Sequence, residues 1–330
     1  MSTTEEIEFN TTSLSNTTST PGTTEMLVRF KIVRWCISTF GFFSNLFVIV
    51  VIILYAPLRK QLTNIFIINQ SAMDAAAAVS LCFEAIFEID GIVLTAGNIR
   101  DELICRVWYS GVPLWSLLVA SAYGIMATTF EKFLAVVYPI IYKTKFTTSK
   151  VAIGMLLAGP WIMGLVINAN FEIPSTYIRP DGTCASLGYW PSDAVENGVG
   201  VLIVIVEYFV PFFFLIFCYT KMALVLHRRV EPMQETGTNQ EVKRNESMAR
   251  ARSNVIKTLA LVGVLFFVCW TLNIFNLLLN FLGYPYVNFA GDFYSFTVYM
   301  VFLNCCVNPV IYSLKYDQFQ KGVKHLFCRK

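Results

Sequence analysis

Residues 198–220 read GVGVLIVIVEYFVPFFFLIFCYT, with Glu207 as the one charged group among them. A helix needs about 20 residues to cross the ~30 Å of hydrocarbon in a bilayer, so this stretch is long enough to span it. A membrane β-strand needs only about 10 residues and alternates apolar with polar ones, which this continuous run does not do. Six more stretches share the character: 35–56, 65–83, 107–130, 151–171, 258–291 and 293–314, with Asp74 the only other charge inside them. The 258–291 run is too long for one crossing. Gly283-Tyr-Pro285 marks its exit into a short loop, and a seventh helix begins near Asp292. The fold class that follows is an all-α membrane protein, a seven-transmembrane helix bundle.

Composition agrees. Only 14% of the 330 residues are charged and 55% are hydrophobic, with a mean hydropathy of +0.57. Ordinary soluble domains carry roughly a quarter charged residues. Too few charges remain to coat a soluble surface of this length, which argues against a soluble enzyme, a nucleic-acid binder or a disordered chain.

An odd number of crossings puts the two ends on opposite sides. The first 28 residues hold no Lys or Arg and four acids, Glu5, Glu6, Glu8 and Glu25. With the N-terminus outside, the outer face carries Arg29, Lys31, Arg34, Arg100, Arg106 and Arg179, leaving 19 of the 25 Lys and Arg on the cytoplasmic side. That bias is the one expected of cytoplasmic loops. The Arg29, Lys31, Arg34 cluster opposes it locally, so the orientation rests on the sum.

Residues 1–30 form a polar outer tail with 13 Ser and Thr in its first 24 positions and no basic segment followed by an apolar core, so no cleaved leader is expected. Asn10 and Asn16 open Asn-Thr-Thr sequons in that tail and are candidate glycan sites. The bundle occupies 31–314. Its cytoplasmic loop at 227–253, with seven Lys, Arg and His, is either a solvated linker or a docking surface. Among the nine cysteines, most lie inside spans, where a thiol behaves as a small hydrophobe. Cys105 and Cys184 both fall outside, in an oxidising compartment, and a bond between them would tether the loop after the fourth span over the bundle. Cys328, beside Lys324, Arg329 and Lys330, is either palmitoylated at the inner membrane surface or a plain thiol.

One signature per span now accumulates. Gly41-Phe-Phe-Ser-Asn45 lies in the first and Asn69-Gln-Ser-Ala-Met-Asp74 in the second; the third starts at Cys105 and ends in Glu131-Lys132-Phe133. Trp161 marks the fourth, Pro211 and Tyr219 the fifth, Phe266 and Cys269-Trp270 the sixth, and Asn308-Pro309-Val-Ile-Tyr312 the seventh. In this order they resemble the rhodopsin-like G-protein-coupled receptors over essentially the whole chain after the tail. The resemblance implies a plasma-membrane, multi-pass receptor whose partners are an extracellular ligand, a heterotrimeric G protein and membrane lipid, not nucleic acid. It also implies a short amphipathic helix carrying Phe319 within the tail at 315–330.

The resemblance assigns roles residue by residue. Asp74 with Ser121, Asn304 and Asn308 would hold a sodium ion, the only bound group foreseen; the alternative is a protonated Asp74 in a hydrogen-bonded network. Tyr219, Phe266, Pro309 and Tyr312 would rearrange as the sixth helix swings out and opens a G-protein cleft floored by Glu131 and Lys132. The chain departs from the family pattern at several of these places. Lys132 and Phe133 stand where Arg and Tyr are usual, Arg252 where some relatives carry an acid, Leu272 where Pro follows the tryptophan motif, and Cys305 where Ser is common. The altered cation and the missing proline point to a loosely held resting state with a poorer G-protein contact.

For the ligand, Phe302 occupies the position of the retinal-binding lysine, which disfavours an opsin. Leu114, beside Trp115, matches the third-helix acid of aminergic relatives, which disfavours a monoamine; the alignment runs from Lys132, because Cys105 to Lys132 is two residues longer than is usual. Glu84 and Glu88 share a helix face near the outer mouth, Glu207 sits one turn before Pro211, and Asn273 lies one turn above Cys269. With Leu114, Trp115 and Trp270 they make an acidic, aromatic candidate site for a basic peptide, unless the acids pair with Arg100, Arg106 or water. A chemosensory or lipid receptor of the same fold is the alternative. A channel or transporter would need a longer file of polar residues. Catalysis has no motif here: His227 and His325 lie in basic cytoplasmic segments, and no HExxH, GxSxG or phosphate loop is present.

Overall fold

The computed structural model describes residues 21–87, 92–186, 190–230, 239–284, 288 and 291–327, without the side chains of 21–30, 186, 228–230 and 239–252. Asn10, Asn16, Glu88 and Cys328 lie outside the described residues, and of Arg252 only the helical backbone lies within them. Seven helices are long and apolar enough to cross a membrane: Lys31–Leu54, Leu62–Ile86, Ile99–Val137, Lys150–Ser175, Asp193–His227, Ser253–Phe281 and Asp292–Lys315. They are called the first to seventh spans. Each outruns its apolar run at one end or both, because polar residues beyond the hydrocarbon keep the helical ladder going. The long sixth run does break near Gly283, whose φ of +80° closes the helix, and the seventh span starts at Asp292.

The spans bury one stripe each and turn aliphatic and aromatic residues such as Phe43, Phe213 and Val264 to the outside, as lipid contact requires. The fourth span shows the narrowest stripe: Pro160, Gly164, Asn168, Phe171 and Ser175, at helical spacing, face the third. Gly164 allows that approach, since a Cβ there would collide with the Ser116 carbonyl and the Ala120 amide.

Two of the spans contain a π-helical turn. In the third span, Ile104–Tyr109 widens into one, and Gly111 follows at φ +73° before the regular helix resumes at Val112. A π-helical turn takes one more residue than an α-helical turn, so the chain from Cys105 to Lys132 runs longer than a regular helix of the same height would need. In the fifth span Ile205–Phe209 is π-helical. Pro211 has no N–H for the Glu207 carbonyl four residues back, so the ladder loosens there. The Tyr123 hydroxyl of the third span donates to the neighbouring Val206 carbonyl at 3.1 Å.

Outside, Cys105 is bonded to Cys184, on a two-stranded hairpin of β1 (Thr176–Ile178) and β2 (Cys184–Ser186) that covers the bundle. Asp181 accepts from both the backbone N–H and the hydroxyl of Thr183 in its turn, which holds its carboxyl below the usual range. Inside, the amphipathic helix spans Asp317–Phe327, within the 315–330 segment, and seats a fully buried Phe319 against Phe47, ring centroids 6.0 Å apart.

Gly164→Ala should lower the thermal midpoint of the purified receptor, by an overpacking cost of about 1–3 kcal/mol. A midpoint equal to wild type would show that the third and fourth spans do not approach this closely.

Candidate functional site

Three polar levels are stacked along the bundle. The middle one centres on Asp74, which is fully buried. Ser121 Oγ donates to its Oδ1 at 2.6 Å and Asn308 Nδ2 to its Oδ2 at 2.8 Å, so the second, third and seventh spans meet on one carboxyl group. Gln70 adds a fourth member: its amide donates to Ser121 Oγ at 2.6 Å and lies 3.5 Å from Asp74 Oδ1. Gly124 makes room for it, since a Cβ at 124 would overlap Gln70 Oε1 and Met73 Cε. Asn304 is buried one turn before Asn308, with its amide nitrogen lacking a partner. Cys305 is buried beside them, and its carbonyl, left without a helical donor by Pro309, accepts from Asn45 Nδ2 at 2.8 Å.

The outer level is a cavity among the third to seventh spans, lined by Trp115, Asn168, Glu172, Glu207, Trp270, Asn273 and Tyr294 with several apolar neighbours. Trp115, Glu207, Trp270 and Asn273, expected at the ligand site, come together here. Leu114 does not: the helix turns it away from Trp115 into the core, where it is 2% exposed. Glu84 does not line the cavity either; it lies across the bundle, with Oε1 3.8 Å from where a Gly111 Cβ would be and Arg34 as its charged neighbour. The π-helical turn places both Glu207 and Tyr208 inward, although they are adjacent in sequence. Asn168 Nδ2 donates to Glu207 Oε1 at 3.2 Å, and the Tyr208 hydroxyl shares a hydrogen bond with Thr271 at 2.7 Å.

At the inner level Glu131 is fully buried. Thr63 Oγ1 donates to its Oε2 at 2.9 Å, and the Tyr142 hydroxyl donates to Oε1. Burial first, and then the Glu131 charge, push the Tyr142 phenol up and keep it a donor. Lys132 sits at 3.6 Å from Glu131 Oε2, longer than a tight charged hydrogen bond. Beside it opens a cleft of about 520 Å³ bordered by Lys132, Tyr142, Lys143, Val255, Ile256 and Gln318. Tyr219 meets Thr129 at 2.9 Å, while Tyr312 is buried beside Tyr316, ring centroids 6.5 Å apart. Tyr316 in turn donates to Asn64 at 2.8 Å, and its burial raises the phenol to about 12. Phe266, at 5.4 Å from Trp270, joins the outer cavity to the core below.

This stacking is that of a signalling bundle, and residues 44–312 match the 7 transmembrane receptor (rhodopsin family) model. The chain belongs to that family; it is a multi-pass membrane receptor and not an enzyme. It is 24% identical over 290 residues to galanin receptor 2a of Danio rerio, covering 87% of this chain and 74% of that protein. It is 24% identical over 300 residues to the substance-P receptor of Mus musculus, covering 85% of this chain and 66% of that one, and 25% identical over 311 residues to trace amine-associated receptor 9 of Homo sapiens, covering 87% and 81%. The fold is similar to that in the crystal structure of squid rhodopsin, with a TM-score of 0.72 over 91% of this chain and 85% of that one at 16% identity.

Sequence reasoning missed Gln70, Thr63 and Glu172. Gln70 and Gly124 each look unremarkable alone; an intramembrane amide was the available signal. Glu172 was hidden because the fourth apolar run was ended at 171, one residue short of it.

Gly124→Ala should destabilise the receptor by driving its methyl into the Gln70 amide, and Gln70→Ala in the same chain should restore much of the loss. Thermal midpoints of the two single variants and the double measure this coupling; strictly additive values would separate the two positions.

Proposed function

We propose that this chain is a plasma-membrane receptor that relays an extracellular ligand, a peptide with a basic or amine group, to heterotrimeric G proteins by outward movement of the sixth helix. The observation that carries the reading is the pair of openings at the two ends of one packed column. An acid-lined cavity faces Trp270 outside, and a cleft beside Lys132 opens inside. Two carboxylates without a basic residue among the lining groups favour a positively charged ligand. Leu114 supplies no third-helix acid, so a ligand held in the aminergic manner is disfavoured. In cells carrying a G-protein dissociation reporter, a library of basic peptides should contain activators that mock-transfected cells ignore. Ligand-gated current or solute flux with no G-protein response would reject the reading.

The sixth span runs unbroken through Leu272, without the proline kink common in relatives, and Lys132 holds Glu131 only at 3.6 Å. Lys132→Arg would supply a planar five-donor group to the cleft and should raise signalling per receptor severalfold. An unchanged or lower signal at equal surface density would show that this cation does not limit coupling.

The residues around Asp74 also fit a sodium ion. Asn308 Oδ1 and Gln70 Oε1 are buried acceptor oxygens without partners beside a carboxylate, and a hard cation takes oxygen ligands. Asp74, Ser121, Asn304 and Asn308 would hold it, and the ion would supply the positive charge that a buried carboxylate needs. Exchanging sodium for N-methylglucamine should lower the thermal midpoint of wild type and leave Asp74→Asn unmoved. Equal midpoints in both salts would favour a protonated Asp74 instead.

A further inference from the structure

We infer that Glu172, Glu207 and Asn273 form the seat of a primary ammonium group, with Trp115 and Trp270 as its aromatic walls. The inference rests on the reading that the outer cavity is the ligand site, and it names what that site grips.

Glu172 and Glu207 come from the fourth and fifth spans, and no Lys, Arg or His is among the residues lining their cavity. Two carboxylates confined together in an apolar bundle need a cation or a proton between them. Asn168 fixes one oxygen of Glu207 at 3.2 Å, and Glu172 stands one helical turn further along the same span. The second observation is independent of the acids. Asn273 is 1% exposed and lines the same cavity with its Oδ1 lacking any hydrogen-bond partner, and Trp270 Nε1, equally buried, lacks one too. An unpaired buried amide oxygen lining the same cavity as two carboxylates asks for a donor.

The count of donors selects the chemistry. An ammonium offers three, matching two carboxylates and one amide oxygen, and it gains further from the faces of tryptophan. The shared chemistry is a primary amine, whether the lysine side chain or N-terminus of a peptide or a free small amine. It would be gripped from the fourth, fifth and sixth spans, on the opposite side of the bundle from Glu84.

The test uses the full-length purified receptor and thermal stabilisation by phenethylamine, against 2-phenylethanol as a probe of similar shape without charge. The amine should raise the midpoint and the alcohol should not. Glu172→Gln, Glu207→Gln and Asn273→Ala should each need about tenfold more amine for the same shift, the loss of one charge-assisted contact. Glu102→Gln, which removes a carboxylate bound to Arg106 at the outer end of the third span, should match wild type. Equal shifts from amine and alcohol, no shift at all, or cavity variants with wild-type amine dependence would overturn the seat. Pentapeptides with a free N-terminus that act at lower concentration than phenethylamine, and lose this on acetylation, support the seat with a peptide as the source. The reverse order supports it with a free amine. Stabilisation by amines without any G-protein response in reporter cells would keep the seat and reject the signalling role instead.

Discussion

A carboxyl group buried at the level of the bilayer core has no water to turn to, and the arrangement around Asp74 follows from that. Ser121 and Asn308 each give it a donor, from different spans, and Gln70 links it to Ser121 again. A polar group left alone in hydrocarbon costs several kcal/mol, so these contacts fix how the second, third and seventh spans sit on one another. The same constraint acts on the backbone. Pro309 frees the Cys305 carbonyl and Asn45 caps it, while the π-helical turn before Pro211 frees carbonyls near Val206 and Tyr123 takes one. Both of these distortions are matched by a side chain from a neighbouring span, which ties those spans together.

The two ends of the bundle each carry an opening. Trp270 belongs both to the outer cavity and, through Phe266, to the packed core beneath it. At the inner end Glu131 is held by Thr63 and Tyr142, so the neighbouring Lys132 is not its main partner and projects toward the cleft. Hydroxyl groups, and not a tight ion pair, are the close partners of Glu131.

Much of this was readable from the residues because hydrocarbon leaves few alternatives. Seven apolar runs, the bias of Lys and Arg, and the two outer cysteines suffice for topology and for the disulfide. The site was readable only in part. Glu207, Trp270, Asn273, Asp74, Ser121 and Asn308 each stand out as a polar or aromatic residue at a defined depth. That Leu114 points into the core while Trp115 lines the outer cavity was not legible, because a residue's place along a helix does not fix which way it faces, and the π-helical turn and Gly111 lie just before it. Glu84 was assigned to the ligand by depth alone, without knowing which neighbour it faced. Glu172 and Gln70 escaped because their meaning is pairwise: one needs Asn168 and Glu207 beside it, the other the missing Cβ of Gly124.

Filling the inner cleft requires the sixth span to move away from the third. A spin label at Lys257 on the sixth span and one at Thr148 in the loop joining the third span to the fourth, both exposed on the cytoplasmic side, report by electron–electron resonance how far the sixth span moves from that side of the bundle. The distance should lengthen when an engineered G-protein α-subunit is added and return when it is removed. A distribution that stays the same with the subunit bound would contradict a receptor that works by opening this cleft.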